Sequence, residues 1–266
     1  MDLFMRRATP ALIGVLHLPP LPGAPRRGPA LDEVIRVAVA DARALVAGGA
    51  DGAIVENFGD APFTAGRVDA VTVAAMTRVV VAVREAAPEL LIGVNVLRND
   101  PISGLGVLIA ADAHFLRVNV LSGAMVTDQG VITGCARELM LERSRFGVEA
   151  PVAADVLVKH AAPLGPISLE DAARDTFLRA DAAALIITGA GTGIGIDPEH
   201  LDRARAAVPQ APIWIGSGLD PARAVSWRGR YDAAIVGTWL HREGDVRAPL
   251  DPDRVRELRR AMTGER

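Results

Sequence analysis

Lys159 is the only lysine in a chain that otherwise relies on arginine for its basic side chains. Arginine cannot stand in for a compact amine that must gain and lose a proton. The bland alternative, a surface lysine left by chance, is equally open from composition. Lys159 falls four residues after Asp155 and directly before His160, so three titratable groups share one short segment. Asp155 closes an apolar run, where desolvation would raise its carboxyl pKa and suit it to proton transfer. Lys159 could act as a general acid, a phosphate ligand or a Schiff-base nucleophile. The last role fits least, because such a lysine projects from a strand and Lys159 lies beyond one. Glu56 is a second carboxylate able to form an acid/base pair with Asp155, and His17 is a further titratable group at the end of an apolar run. The same carboxylates, with Asp100 or Asp128, could instead hold a divalent metal such as Mg²⁺ through oxygen ligands. No spacing decides between these, so any cofactor is unknown.

These groups need elements to position them. Short runs rich in Val and Ile alternate with longer segments of helical periodicity, which is the pattern of repeated βα units around a parallel sheet. Strands are expected at Ala11–Leu16, Gly52–Val55, Leu91–Val96, Phe115–Val118, Pro151–Ala154, Ala184–Ile187, Ile213–Ile215 and Ala233–Val236. Helices are expected at Leu31–Ala47, Val68–Ala87, Pro101–Ala111, Ala136–Phe146, Leu169–Arg179, Pro198–Ala207 and Asp251–Met262, with a long loop before Ala136. Gly48-Gly49 reads as a helix stop, Ser168 as a cap and Pro252 as a first helical residue. Eight βα repeats in 266 residues predict an α/β fold, a closed (β/α)8 TIM barrel, with the whole chain 1–266 as one domain.

Strands of such a barrel are buried, so polar residues at their C-terminal ends need a reason, and that face carries the active site. Nearly every expected strand ends in them: His17; Glu56 and Asn57; Asn95 with Arg98, Asn99 and Asp100; Arg117 and Asn119; Asp155; Thr188 and Gly189. Each has a plainer explanation taken singly. Glu56 and Arg117 could be a structural ion pair, Asn95 could tie loops, and His17 could be a packed ring. Their convergence on one end of the barrel makes that end the expected site, with Asp128 and Thr192 on nearby loops as further substrate contacts. Gly216-Ser217-Gly218 and Gly237-Thr238 follow the last two strands, where barrels of this kind bind phosphate through backbone N–H groups. The glycines could also serve only to turn the chain. The run Gly189–Gly195 loosely matches a dinucleotide pattern, but without a two-domain Rossmann context it reads as a loop closing over substrate.

Composition narrows the partners. Half the residues are hydrophobic and only 4% aromatic, so the core is aliphatic. A net charge of −3 gives no electrostatic case for nucleic acid. One cysteine, Cys135, excludes a disulfide scaffold. The apolar stretch Ala11–Leu18 is too short to span a membrane and runs into prolines, so a soluble, cytoplasmic protein is expected. Alanine and valine on the helices leave room for a homo-oligomer.

Several stretches are similar to the BtpA family: Ile13–Gly23, Val55–Phe63, Gly93–Asp100, Phe115–Val120, Thr127–Gly130, Ala154–His160 and Gly216–Gly218. The resemblance runs from about Ala11 to Met262 and implies a barrel of the ribulose-phosphate-binding type. It also implies two divergent roles, since one branch is linked to photosystem I biogenesis at membranes and others carry nucleosidase labels. Arg223 stands where the family pattern suggests Asn, and His241 where relatives often carry lysine. The expected function is therefore acid/base catalysis on a small phosphorylated sugar, nucleoside or related metabolite, as a lyase, isomerase or nucleosidase-like hydrolase. The alternatives are a biogenesis factor that binds a membrane-protein complex and a barrel that binds a metabolite without turning it over.

Overall fold

The computed structural model describes residues 3–189 and 196–264. In chain order the strands are β1 (Ala11–His17), β2 (Gly52–Glu56), β3 (Leu91–Asn95), β4 (Phe115–Val118), β5 (Ala124–Thr127) and β6 (Gly130–Thr133), then β7 (Val152–Val156), β8 (Ala161–Pro163), β9 (Ala184–Ile187), β10 (Ile213–Ile215) and β11 (Ala233–Val236). Eight of them close into a parallel barrel in the order β1-β11-β10-β9-β7-β4-β3-β2. The chain is a (β/α)8 TIM barrel, as its alternation predicts.

Around it lie α1 (Leu31–Gly48), α2 (Ala70–Ala86), α3 (Pro101–Ala111), α4 (Ala136–Phe146), α5 (Leu169–Arg174), α6 (Pro198–Ala207), α7 (Pro221–Ser226) and α8 (Pro252–Thr263). Four of these helices begin with an Asp-Pro pair. Asp100, Asp197, Asp220 and Asp251 each accept a hydrogen bond from a first-turn backbone N–H, and the proline that follows needs no partner for a donor it lacks. Ser168 caps α5 in the same way, and Gly49 ends α1 in the left-handed region at φ 82°.

Strand periodicity separates two cores. On β1, Ala11, Ile13 and Val15 face the barrel interior, where they meet Ile54, Phe115, Ala153, Ile186, Trp214 and Ile235. Gly93 makes room for the Phe115 ring, since a Cβ there would lie 2.4 Å from it. Phe4 packs against Phe115 and Trp214 at centroid distances of 5.6 and 4.9 Å. The opposite strand faces, with Leu12, Leu16, Val55 and Leu185, pack against the helices.

Three expectations change. The long loop before Ala136 contains a hairpin, β5–β6, which joins β8 in a small antiparallel sheet of order β6-β5-β8. Its strands have only three or four residues, too short for an alternation to stand out. The helix expected over Leu169–Arg179 is α-helical only to Arg174 and continues as a π-turn through Asp175–Arg179. The strand expected to stop at Ala154 runs to Val156, so Asp155 lies within the sheet and pairs in register with Ile186.

Candidate functional site

The interior-facing register of each strand leads to a polar residue at the C-terminal end. Continuing by twos from the apolar layers gives His17 on β1, Glu56 on β2, Asn95 on β3, Arg117 on β4 and Asp155 on β7. Thr188, Gly216 and Gly237 hold the same place just past β9, β10 and β11. The period of two therefore converts a scattered set of polar residues into one layer at the barrel mouth.

Arg117 is the hub of that layer. Its guanidinium donates from Nε and Nη2 to the two carboxylate oxygens of Asp155, each at 3.2 Å, and its Nη1 lies 3.7 Å from Glu56. Asn119 adds a bond of 2.9 Å to Asp155, and Asn95 one of 2.6 Å to Glu56. Both Asp155 oxygens are thus engaged by donors of β4 and its loop. Burial raises the Glu56 pKa, but the charges of Arg117 and Lys159 and the Asn95 bond outweigh it and leave the carboxyl below its ordinary value. Arg117 lies between Glu56 and Asp155, so the two carboxylates meet through a shared cation.

Lys159 reaches this layer from the loop after β7. Leu157 and His160, on either side of it, hold left-handed backbone at φ 52° and 56°. Such conformations are uncommon for residues with a Cβ and persist only where surroundings enforce them. Arg98 fixes the turn by donating to the Lys159 carbonyl at 2.7 Å. The Lys159 amine makes no hydrogen bond or ion pair among the described residues. Burial and then the Arg117 charge lower its pKa, against the opposing pull of Glu56 and Asp155. His160 is exposed, and burial of part of its ring followed by the Lys159 charge lowers its pKa too.

His17 contacts the Phe58 ring at 4.7 Å between centroids and stacks on His241 at 5.7 Å. Its Nδ1 is 3.5 Å from His241 Nε2, and His241 Nδ1 faces the Ala248 carbonyl. A carbonyl can only accept, so His241 donates from Nδ1. His241 Nε2 is then the ring atom that faces His17 Nδ1. Burial depresses the His17 pKa to about 4.

The glycine loops after β10 and β11 border the same space. A cavity of about 310 Å³ is shared by Gly216, Ser217, Gly218, Gly237 and Thr238 with His17, Glu56, Arg117 and Lys159. Packing explains two of the glycines. A Cβ on Gly216 would lie 2.4 Å from Thr188, and one on Gly237 would lie 2.5 Å from His17. Ser217 accepts a bond of 3.3 Å from the Gly189 N–H, and the Thr188 hydroxyl is buried without a partner among the described residues. Thr192 and the rest of 190–195 lie outside the described residues.

Other expected contacts turn out to join loops. Asn57 accepts from the Leu97 N–H at 2.7 Å and donates to Asp60 at 3.0 Å. Asn99 exchanges two bonds of 2.9 Å with the Val120 backbone. Asp100 caps α3 and accepts from the Val68 N–H at 2.9 Å. Asp128 sits in the β5–β6 turn and borders the wider cavity at the mouth. Glu56, Asp155, Asp100 and Asp128 do not converge, and among the described residues no three His, Cys, Asp or Glu side chains are grouped to hold a metal ion. The carboxylate set therefore does not fit the Mg²⁺ site that the sequence left open.

Residues 8–264 match the model of the BtpA family, nearly the whole length of the chain. The chain belongs to the BtpA family. Among its relatives is the photosystem I biogenesis protein BtpA of Synechocystis, 44% identical over 98% of this chain and 91% of that protein. An uncharacterised protein of Pyrococcus furiosus is 42% identical over 93% of this chain and 92% of its own. Solved barrels with similar folds include phosphoribosyl anthranilate isomerase from Thermus thermophilus, with a TM-score of 0.54 at 13% identity, covering 96% of this chain and 100% of that one. KGPDC from Streptococcus mutans has a TM-score of 0.56 at 12% identity, covering 96% and 97%. At such identities these neighbours show the fold alone.

In this BtpA-family barrel, three side chains escaped the sequence reading of the site. Arg254, on an α8 face that reads as surface, borders the glycine-loop cavity. It donates to the Trp239 carbonyl at 2.6 Å, with its guanidinium 4.1 Å from the indole centroid. Phe58 and Asp41 look like ordinary loop and helix residues, and only the folded chain brings them to the barrel mouth. Of the two departures from the family pattern, Arg223 binds the Gly218 carbonyl at 2.7 Å and Asp220 at 3.2 Å, and His241 holds His17.

Proposed function

We propose that this protein is an enzyme acting on a small phosphorylated metabolite by proton transfer at the C-terminal face of the barrel. One observation carries the reading: a single cavity joins the two glycine loops to Lys159, Glu56 and His17. A phosphate seated on the N–H groups of Gly216–Gly218 and Gly237-Thr238, with Arg254 beside it, would direct the rest of the molecule toward those three groups. Each has a distinct protonation habit. Lys159 loses its proton more readily than an ordinary lysine, Glu56 holds its charge, and neutral His17 offers a lone pair. Groups with proton affinities pushed apart are what acid/base catalysis requires. Asn95, with Arg117 anchored by Asp155, positions Glu56, and Arg98 positions Lys159. Lyase, isomerase and nucleosidase-like chemistry all use such a set. The protein works in this reading as one cytoplasmic barrel domain, without nucleic acid.

A second reading rests on the 44% identical Synechocystis relative named for photosystem I biogenesis. It would make the barrel a binding factor for a membrane-protein complex. No helix among the described residues is long and apolar enough to cross a membrane, so such a factor would act from outside the bilayer.

A thermal-shift screen of phosphorylated metabolites tests the enzyme reading, because a ligand that binds only the folded state raises Tm by mass action. We expect a shift that disappears in a folded Gly218→Asp variant. A hit should be turned over by the wild type, and turnover should fall at least a hundredfold in both Lys159→Ala and Lys159→Arg. No shift from any phosphorylated compound at millimolar concentration would move the weight to the binding role.

A further inference from the structure

The barrel mouth is larger than a sugar phosphate needs. Beside the glycine-loop cavity, and sharing His17, Glu56, Arg117 and Lys159 with it, lies a second space of about 980 Å³. That volume is at the top of the range for pockets that enclose drug-sized ligands. Its far side has a different character from the polar layer. Pro19 and Pro20 after β1, Phe58 and Phe63 after β2, and Val246 and Pro249 after β11 form an apolar wall. A substrate consisting only of a phosphorylated sugar would leave this wall facing water.

Arg26 and Arg247 border the same lobe, and one buried carboxyl is set into its wall. Asp41 projects from α1 and borders the cavity, yet it is only 7% exposed. Its Oδ1 accepts a bond of 2.9 Å from the Leu250 N–H. No cation pairs with it among the described residues, and its burial pushes the carboxyl pKa up, with only the backbone bond and His241 opposing. A buried carboxyl costs stability unless something satisfies it, so one placed in an apolar wall over a cavity invites a ligand donor.

We propose that the apolar lobe holds a flat nitrogen heterocycle of the substrate, with Asp41 accepting a hydrogen bond from a ring N–H. The phosphate of the same molecule occupies the glycine loops, and the bond between them passes Lys159, Glu56 and His17. The inference rests on the phosphate seat proposed above and adds the class of group at the other end. Proline and phenylalanine faces suit the faces of a flat ring, and a single acceptor gives it orientation.

Isothermal titration calorimetry on the full chain can test this with the 5′-monophosphates of guanosine, uridine, adenosine and cytidine, ribose 5-phosphate, and the free nucleosides. At least one nucleotide should bind tenfold or more tightly than ribose 5-phosphate. Guanosine and uridine nucleotides, whose rings present an imino N–H, should be favoured over adenosine and cytidine nucleotides. Asp41→Asn keeps an acceptor for Leu250 while adding a donor, and should narrow or reverse that preference with ribose 5-phosphate unaffected. Phe63→Leu should weaken nucleotides about fivefold and likewise spare ribose 5-phosphate. Equal affinity for ribose 5-phosphate and every nucleotide, or a preference unmoved by Asp41→Asn, overturns the heterocycle lobe while leaving the phosphate seat intact. Free nucleosides binding as tightly as nucleotides would overturn the phosphate seat and keep the lobe. Absence of binding by all probes overturns both.

Discussion

Arg117 shows how one residue can hold a whole layer. With Arg117 removed, Glu56 and Asp155 remain buried without their shared cation, and breaking a buried pair in this way costs about 3–5 kcal/mol. Arg117→Met should therefore unfold at a markedly lower urea concentration than wild type, with Arg117→Lys in between because lysine cannot reproduce the two-pronged bond to Asp155. A midpoint for Arg117→Met within error of wild type would show that the layer is hydrated and loosely held. His17 makes a prediction in pH. Its folded-state pKa of about 4 lies below the ordinary 6.5, so the unfolded chain binds the proton first as pH falls. The contribution to stability is complete above pH 6.5 and is lost as pH falls toward 4, by up to about 3 kcal/mol. His17→Gln should flatten the stability profile in that window relative to wild type, measured by urea melts at half-unit steps. Parallel profiles for the two proteins would refute the buried neutral imidazole.

At the scale of elements, two glycines set how closely the outer helices approach. A Cβ on Gly14 of β1 would lie 2.4 Å from Leu45 of α1, and one on Gly48 would lie 2.3 Å from Val255 of α8. These contacts dock α1 on the sheet and seat α8 against α1 where the barrel closes. Gly14→Ala should destabilise the protein by about 1–3 kcal/mol through overpacking. The double variant with Leu45→Ala should lose less than the two single costs summed, because each change makes room for the other. Strict additivity in denaturant melts would place the two side chains out of contact. The small sheet of β5, β6 and β8 was hidden in the sequence for a related reason. Its strands are held by pairing across loops that follow different barrel strands, and nothing local in Ala161–Pro163 announces a partner at Met125–Thr127.

For the whole molecule, the homo-oligomer expected from the alanine-rich and valine-rich helices has candidate contact points. Ile109, Leu141, Phe146 and Leu178 are 39%, 52%, 55% and 57% exposed on the outer shell. Large apolar side chains on a surface are what subunit contacts cover. Light scattering on the purified chain should give a mass above that of one chain, reduced by Phe146→Glu or Leu141→Glu. A monomer at all concentrations would assign those side chains to ordinary surface.

The sequence by itself determined the barrel, because eight apolar runs spaced by amphipathic helices admit few other ways to bury their surface. It also determined where the polar layer gathers, since polar residues recur at the C-terminal ends of nearly every strand. Period two even selects His17, Glu56, Asn95, Arg117 and Asp155 as one interior layer once the strands are known. What it could not decide was which polar residues stay open to the barrel mouth and which bond to each other. Asn57, Asn99 and Asp100 have the same residue types as ligand-binding groups, yet their bonds go to neighbouring loops. Asp41 and Arg254 reach the mouth from α1 and α8, helices whose pattern reads only as outer shell. Strand pattern is a local property of the chain, whereas the partner of a side chain depends on what barrel closure brings within about 3 Å of it.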